Sequence, residues 1–307
     1  MTIRAISGRK SDPELSIVLV HYNDRVHLVP CLSSLQKAVS GLSAEVILVD
    51  NHSGDGSPGL VRKAFPWIRL IENSENLGYP KANNIGFRRS RGEFCLFLNT
   101  DTVMPETGLS VLLAKIRERP EFGAVGPALV HENGRFQVSF GGRVGFFSEI
   151  RQKFILNPFY KIALRISRKA REVGWLSGAC LLARREAVEG AGLFDENFFL
   201  YFEDIDLCRR IKNRGFKLIF FPLVRVTHTG GGATSACPWP SRLAYRRSQL
   251  RFYEKHNSRN SRRFLRLYLR WIVFVLGLIG AGGESEERNR YRDGLRKLVS
   301  GRGREVN

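Results

Sequence analysis

The sequence predicts an α/β fold with a mostly parallel sheet, and three observations support that prediction. Short apolar runs that end in polar residues alternate with segments of helical spacing, which is the pattern of βαβ units. The run from Phe94 to Asp101, Phe-Cys-Leu-Phe-Leu-Asn-Thr-Asp, begins with the unbroken apolar character of a buried parallel strand. The chain has 307 residues, 43% of them apolar, which is enough for a sizeable core. We therefore expect one large domain, with or without a C-terminal appendage.

The elements follow one another along the chain. In the first half, strands are expected at 15–22, 44–49, 68–71, 94–98 and 123–130. Helices are expected up to Val39, over Leu60–Phe65, towards Arg89 and from Pro105 through Ile116. In the second half, strands are expected at 180–183, 216–221 and 224–228, with one helix beginning near Glu186 and another containing Ile205, Cys208 and Ile211. Right-handed crossovers would bring the carboxyl ends of the parallel strands to one edge.

Polar residues lie after the predicted strands and would gather at that edge. They are Asn23, Asp50, Asp101 and the loop from Asn76 to Asn84. Open α/β sheets bind nucleotides and similar ligands there, although Asp101 could instead be an ordinary cap or turn residue. The first strand continues as His-Tyr-Asn-Asp rather than a Gly-x-Gly-x-x-Gly turn, and no Gly-Lys-Ser is present. A Rossmann dinucleotide enzyme is therefore excluded, and no Walker-type phosphate loop is expected.

An acidic cluster follows an aromatic run in the second half. Phe198–Phe202 leads directly into Glu203 and Asp204, with Asp206 two residues further on. Acids at a helix start could merely complement the helix dipole, at about 0.3–1 kcal/mol each. A carboxylate against an apolar wall, however, has its pKa raised toward values that suit a general base. His228 precedes a Gly-rich loop, which favours a metal or phosphate role over the commoner structural one.

The net charge of +20 is concentrated in residues 143–171 and from Arg242 onward. Such an excess suits an anionic membrane surface, a phosphate-bearing substrate or nucleic acid, while a solvated basic face is the alternative. We expect no nucleic-acid partner, because zinc-finger spacing, an aromatic RNP-like strand and a heptad-backed basic helix are all missing. The five widely spaced cysteines predict buried thiols. Residues 1–13 predict a disordered or extended terminus without a secretory signal, hence a cytoplasmic protein.

Five groups of motifs carry a resemblance to a known family. They are Val49-Asp50-Asn51-His52-Ser53, Asn76-Leu77-Gly78-Tyr79 with Asn84-Ile85-Gly86, Leu98-Asn99-Thr100-Asp101, Trp175-Leu-Ser-Gly-Ala-Cys, and Gly192-Leu-Phe-Asp-Glu with Phe198-Phe-Leu-Tyr-Phe-Glu-Asp-Ile-Asp-Leu-Cys-Arg-Arg. In this order they resemble the family 2 inverting glycosyltransferases, specifically the bacterial rhamnosyltransferase-like branch. The resemblance covers roughly residues 14–256. It implies a GT-A fold with a nucleotide half at about 14–130 and a contiguous acceptor half at about 131–256.

The resemblance also implies a donor and metal site. Asp50 resembles the acid that contacts the base or ribose, and Asp101 resembles the last residue of the Asp-x-Asp metal motif. Asn99 stands where the first Asp of that motif would be, a form that is common in this branch. Together with His228, Asp101 is expected to bind Mg²⁺ or Mn²⁺, hard cations that take oxygen ligands across a diphosphate. The implied donor set is Tyr22, Asn23, Asp50, Asn76, Gly78, Asn84, Asn99 and Asp101.

The implied acceptor site centres on the acidic cluster. Asp204 is expected to be the general base of an inverting transfer, and Glu203 is expected to orient the acceptor or the base. Aromatic faces stack on sugars, so Trp175 is expected in the sugar pocket, although a plain core Trp is about as common. The implied pocket is Trp175, Ser177, Gly178, Ala179 and Tyr201.

The C-terminal residues 257–307 predict a basic amphipathic helical extension. The uncharged stretch Trp271–Gly283 is shorter than the ~20 residues of a spanning helix. With Arg262–Arg270 before it, the stretch favours a helix in the interface of an anionic membrane, and a core-packing helix is the alternative. A polyprenyl-diphosphate-linked or glycan acceptor would fit such a location.

The combined prediction is a metal-dependent inverting hexosyltransferase at the cytosolic face of a bacterial membrane. It would use dTDP-rhamnose, or a UDP-linked sugar, in cell-envelope polysaccharide synthesis. A processive synthase is disfavoured, because no transmembrane bundle or Gln-x-x-Arg-Trp segment is present. A catalytically inactive scaffold that binds sugar or lipid is the alternative from a different class.

Overall fold

A computed structural model describes residues 12–146, 148, 169–230, 238–279 and 286–300. The strands are β1 Leu15–His21, β2 Ala44–Asp50, β3 Arg69–Glu72, β4 Phe94–Asn99, β5 Thr102–Val103, β6 Phe122–Val130, β7 Phe140–Gly141, β8 Arg171–Glu172, β9 Trp175–Leu176, β10 Cys180–Arg184 and β11 Lys217–His228. The helices are α1 Arg25–Ala38, α2 Ser57–Ala64, α3 Tyr79–Arg89, α4 Gly108–Arg117, α5 Arg185–Gly190, α6 Glu203–Asn213, α7 Pro238–His256, α8 Arg259–Ile279 and α9 Glu286–Val299. The predicted α/β class is confirmed. Most of the basic segment 143–171 and the cysteine at 237 lie outside the described residues.

One mixed sheet organises the described chain, in the order β3-β2-β1-β4-β10-β6-β11-β5, with β8 paired to β11. The first four strands are parallel, as the alternation of elements predicts. All of β1 is buried, and its alternate side chains enter cores on opposite faces of the sheet. Register places His21 beside Asp50 and Val20 beside Asn99. The polar residues after β1, β2 and β4 therefore meet at one edge.

The second half of the sheet departs from the parallel pattern. β10 runs antiparallel between β4 and β6, so the segments before and after residue 130 share one sheet. The two strands expected at 216–221 and 224–228 are one strand, β11, whose register with β6 shifts between Phe221 and Arg225. Pro222 lies in that interval and has no N–H to donate to a ladder, which accounts for the irregularity.

The C-terminal helices pack on the outside of α6. Leu265 and Leu269 of α8 are buried in a cluster with Phe252 and Tyr253 of α7 and Phe202 just before α6. This side of α8 agrees with the core-packing alternative. The opposite side of α8 is apolar and exposed, and its association with a membrane stays a prediction. Among the described helices, none combines the length and the apolar character needed to cross a membrane.

Candidate active site

The polar turn after β4 lies against the end of β11. Asp101 Oδ1 is 3.3 Å from His228 Nε2, and Asn99 Nδ2 is 3.5 Å from the same nitrogen. The backbone fixes this arrangement, because the Thr229 N–H donates to the Asp101 carbonyl at 3.0 Å and the Gly230 N–H donates to Asp101 Oδ2 at 3.2 Å. The structure thus brings together the residues expected to bind the metal and the diphosphate.

Gln137 fixes the orientation of the His228 ring, and sequence reasoning missed it. Gln137 Oε1 is 2.8 Å from His228 Nδ1, while Gln137 Nε2 donates to the His228 carbonyl. Because an amide oxygen can only accept, Nδ1 is the donor to Gln137, and Nε2 is left as the ring nitrogen that faces the Asp101 carboxylate. Burial acts to raise the pKa of Asp101, but the hydrogen bond and charge of His228 lower it below its usual value.

Tyr79 connects this turn to the expected sugar pocket. Its hydroxyl lies 2.8 Å from Asn99 Oδ1 and 3.2 Å from the Gly178 carbonyl. The Ala179 carbonyl accepts the Asn99 N–H at 3.0 Å, and Ser177 Oγ accepts the Ala179 N–H at 3.3 Å. The segment between β9 and β10 therefore sits directly beside the end of β4.

A second cluster lies at the ends of β1 and β2. Asp50 is buried, and its Oδ2 accepts the Ser53 N–H at 2.9 Å. Its Oδ1 is buried with no hydrogen-bond partner among the described residues. Asn23 has left-handed backbone, with φ +46°, and its Oδ1 accepts the Gly54 N–H at 2.8 Å. An orphaned buried carboxylate oxygen at a ligand-binding edge can accept an N–H or O–H from a ligand.

The next loop closes this cluster. Asn51 Nδ2 donates to Asn76 Oδ1 at 2.7 Å, and the Gly78 N–H donates to the same oxygen at 3.0 Å. Gly78 has φ +79°, and a Cβ there would lie 2.8 Å from both the backbone oxygen and the ring of Phe199. Only glycine fits this close approach. Tyr22 is 39% exposed beside the cluster.

Asn84 lies apart from both clusters. Its Nδ2 donates to the Phe194 carbonyl and to Glu196 Oε1, each at 2.9 Å, and its Oδ1 accepts the Phe194 N–H at 3.0 Å. These contacts hold the loop that follows α5 against α3. A contact between Asn84 and the donor stays a prediction.

Glu203 and Asp204 begin α6 and differ in their partners. Asp204 Oδ2 accepts the Gly178 N–H at 2.8 Å, and Oδ1 accepts the Ile205 N–H at 2.7 Å. Glu203 Oε2 is buried without a partner in the described part of the chain. Burial raises the pKa of both carboxyls, and the charge of Asp204 raises the pKa of Glu203 further. Carboxyls with raised pKa values in a cavity wall are suited to accept protons.

The chain enters α6 through unusual backbone. Tyr201 and Phe202 have φ values of +70° and +65°, a region that bulky residues rarely adopt and that costs about 1–3 kcal/mol per residue. The helix is held from its other side by buried Asp206, which contacts Lys255 Nζ at 2.8 Å and His256 Nε2 at 2.6 Å. The carboxylate expected against an apolar wall is present, since Glu203 is buried behind Phe202. The left-handed backbone of Tyr201 and Phe202 could not be predicted from the sequence.

One cavity of about 940 Å³ joins the turn after β4 to the start of α6. It is lined by Tyr79, Asn99 and His228 and also by Glu203 and Asp204. Trp175 is half-buried in the wall, and its indole Nε1 is buried without an acceptor among the described residues. The remaining sugar-pocket candidates also line this cavity: Ser177, Gly178, Ala179 and Tyr201. The expected acceptor residues are therefore collected beside the expected diphosphate site.

The side chains of Asp101 and His228 fit a divalent cation whose remaining ligands are supplied by a substrate. No group of three or more His, Cys, Asp or Glu side chains that could hold a metal is found in the described ranges. Asp101 and His228 nevertheless present a carboxylate oxygen and an imidazole nitrogen 3.3 Å apart. Mg²⁺ is commonly held by one or two carboxylates together with substrate phosphates. The pair therefore fits a metal whose other ligands come from a diphosphate.

Known proteins resemble this chain in sequence. The sequence profile of "Glycosyl transferase family 2" matches residues 16–191. The N-acetylglucosaminyl-diphospho-decaprenol L-rhamnosyltransferase of Mycobacterium tuberculosis is 31% identical over 310 residues, spanning 94% of this chain and 98% of that protein. The O-antigen biosynthesis protein RfbC of Myxococcus xanthus is 30% identical over 250 residues, spanning 77% of this chain and 19% of that protein.

Solved structures share the fold. The mannosyltransferase PcManGT from Pyrobaculum calidifontis, in complex with GDP-Man and Mn²⁺, gives a TM-score of 0.58 at 18% identity, over 95% of this chain and 86% of that one. GalNAc-T7 with UDP, GalNAc and Mn²⁺ gives 0.60 at 16% identity, over 95% of this chain and 56% of that one. The predicted GT-A-like fold is confirmed.

Proposed function

The chain belongs to glycosyl transferase family 2, and on that premise we propose that it is a metal-dependent, inverting hexosyltransferase. The proposed donor is dTDP-rhamnose or a UDP-linked sugar, and the proposed acceptor is a polyprenyl-diphosphate-linked or glycan sugar in cell-envelope glycan synthesis. The observation that carries the proposal is the single cavity that joins His228 and Asn99 to Glu203 and Asp204. The mycobacterial relative's name, with its diphospho-decaprenol, supports the acceptor class.

Donor binding is assigned to the edge formed by β1, β2 and β4. The orphaned Oδ1 of Asp50 would accept a hydrogen bond from the base or ribose, within the loops shaped by Asn23, Asn76 and Gly78. Asp101 and His228 would hold Mg²⁺ or Mn²⁺, which supplies neutralisation of the charge on the departing diphosphate. Gln137 keeps Nε2 of His228 directed to this place.

Transfer requires one base. Asp204 takes the proton of the acceptor hydroxyl while that oxygen attacks the anomeric carbon from the face opposite the diphosphate. The new C–O bond forms as the bond from the anomeric carbon to the diphosphate oxygen breaks, so the configuration inverts without a covalent intermediate. Glu203 Oε2 and Trp175 Nε1 lie in the cavity wall without a hydrogen-bond partner among the described residues. Glu203 Oε2 would accept a hydrogen bond from a sugar hydroxyl, and Trp175 Nε1 would donate one.

A transfer assay tests this proposal. The native protein, supplied with Mn²⁺, dTDP-rhamnose or UDP-sugars and a prenyl-diphosphate-linked N-acetylglucosamine, is expected to release nucleoside diphosphate and extend the lipid-linked sugar by one unit. The anomeric configuration of the product, read by NMR, should be opposite to that of the donor. Retained configuration would contradict the mechanism. Nucleotide binding without any transfer would favour the inactive scaffold.

We also propose that α8 associates with the cytosolic face of an anionic membrane. Its exposed side is a stripe of apolar residues with 36–63% exposure, namely Phe264, Leu267, Tyr268, Trp271, Phe274 and Leu278. Arg263 and Arg270 are also exposed on this helix. An apolar stripe flanked by arginines is the pattern of a helix lying in a membrane interface.

Charged substitutions in the stripe should release the protein from lipid. Replacing Trp271, Phe274 and Leu278 with Glu removes apolar area and adds repulsion, so partition onto phosphatidylglycerol vesicles should fall at least about tenfold. The matched control is Leu223→Glu, because Leu223 is 55% exposed on β11. Vesicle sedimentation at low and high salt measures the effect. Unchanged partition of the triple variant would contradict this role of α8.

A further inference from the structure

The outer end of the candidate cavity is built by α7 and α8. Tyr268 and Trp271 of α8 line the cavity and also belong to the exposed apolar stripe. Glu203 is buried, and the ring of Phe202 beside it lies 5.1 Å from the ring of Tyr245, the neighbour of Arg246. Tyr268 stacks on Trp271 at 6.4 Å, and Trp271 is 60% exposed, so the lining leads from the carboxylates to the surface stripe. A ligand that enters along α8 would meet apolar side chains first and the carboxylates last.

One arginine, Arg246, lines this cavity. Arg246 is half-buried, and no ion pair joins it to an acid within the described residues. Its guanidinium lies 5.5 Å from the ring of Tyr245 and 5.9 Å from the ring of Tyr268, and its Nη1 donates to Gln249 Oε1 at 2.8 Å. These contacts hold the planar group in place, while Nε and Nη2 have no acceptor among the described atoms.

We propose that Arg246 binds the phosphate group that links an acceptor sugar to its prenyl chain. The order of side chains matches such a molecule, since the sugar would lie at Glu203 and Asp204, the diphosphate at Arg246, and the first isoprene units along Tyr268 and Trp271. A guanidinium recognises phosphate oxygens through paired N–H donors. This inference rests on the proposed function and adds the residue that distinguishes a phosphate-linked acceptor from an uncharged one.

Binding of three probes tests the role of Arg246 without any transfer. Farnesyl diphosphate, farnesol and inorganic pyrophosphate are titrated into the full-length protein, with tryptophan fluorescence as the signal, because Trp175 and Trp271 line the cavity. The native protein should bind farnesyl diphosphate more tightly than either other probe. Arg246→Gln should weaken farnesyl diphosphate about tenfold and leave farnesol unchanged. The affinity of Arg246→Lys for farnesyl diphosphate should lie between those of the native protein and Arg246→Gln, since Lys keeps the charge and loses the planar fork.

A matched control lies one turn further along α7. Arg251 contacts the ring of Phe198 at 5.9 Å, is exposed and does not line the cavity, so Arg251→Gln should behave as the native protein. With a prenyl-diphosphate-linked acceptor, Arg246→Gln should raise the acceptor KM and leave nucleoside diphosphate binding with Mn²⁺ unchanged.

Several results would overturn the proposal. They are unchanged affinity of Arg246→Gln for farnesyl diphosphate, an equal loss for farnesol, a loss of nucleoside diphosphate affinity, and failure of the native protein to bind farnesyl diphosphate. The proposed function fails separately, if the native protein neither binds a nucleotide nor transfers a sugar. The probe titrations then still decide what Arg246 binds.

Discussion

Asp204→Asn is expected to reduce kcat by about 10²–10⁴-fold, the usual contribution of a positioned general base. The amide keeps the size of the side chain but cannot take a proton from the acceptor hydroxyl. Its nitrogen also cannot accept the N–H of Gly178 or of Ile205, both of which now reach Asp204 oxygens. Nucleotide binding should survive, because the donor edge is formed by other strands. Steady-state transfer rates and calorimetric titration with nucleoside diphosphate measure the two effects.

Glu203→Gln is the matched variant at the neighbouring carboxyl. If Glu203 orients the acceptor, this change should mainly raise the acceptor KM. A large fall of kcat in Glu203→Gln together with a small fall in Asp204→Asn would transfer the role of base to Glu203. The comparison is needed because Glu203 Oε2 has no hydrogen-bond partner among the described residues and could itself contact the acceptor.

The pH profile gives an independent reading of the base. Burial raises the pKa of Asp204, so the base becomes protonated at a higher pH than an exposed aspartate, whose pKa is about 4. Activity should therefore be full at pH values above this raised pKa, where Asp204 is deprotonated, and should fall as the pH is lowered through it. The acid limb should persist in Glu203→Gln and disappear from the residual activity of Asp204→Asn.

The sequence predicted the parallel half of the fold because strands that are buried on both faces consist of nearly continuous apolar residues. The run Leu15–His21 is apolar at almost every position, and the structure buries all of it between β2 and β4. The antiparallel direction of β10 left no such record, since Cys180–Arg184 would be equally apolar in either direction. Strand direction in this region depends on the path of the chain between β6 and β10.

The candidate site was predictable where residue type carries the chemistry. Asp101, His228 and Asp204 were singled out because they stand at the ends of predicted elements and match motifs of the family that the sequence resembles. Gln137 and Arg246 were missed, since their importance lies in what they face: a histidine nitrogen and an open cavity. Such positions depend on tertiary contacts across more than 90 residues, as between Gln137 and His228.

Asp101→Ala is expected to remove the response of the protein to metal and nucleotide together. A ligand present at 100 times its dissociation constant stabilises the native state by about 2.7 kcal/mol, which is visible in a thermal-shift assay. UDP, dTDP, GDP and CMP, each with and without Mn²⁺, should therefore give one metal-dependent increase in Tm for the native protein. Without the Asp101 carboxylate, the His228 ring alone offers one nitrogen to the cation, and the increase should vanish.

The control for general destabilisation is Asp195→Ala. Asp195 also pairs with a cation, Lys255 at 2.7 Å, but it belongs to the loop between α5 and α6 rather than to the turn after β4. Its Tm should fall without ligand, yet the increase produced by nucleotide and Mn²⁺ should remain. An equal increase in Asp101→Ala would mean that the cation is held elsewhere. No increase for any nucleotide in the native protein would instead favour the scaffold, because a transferase must hold its donor before Asp204 can act.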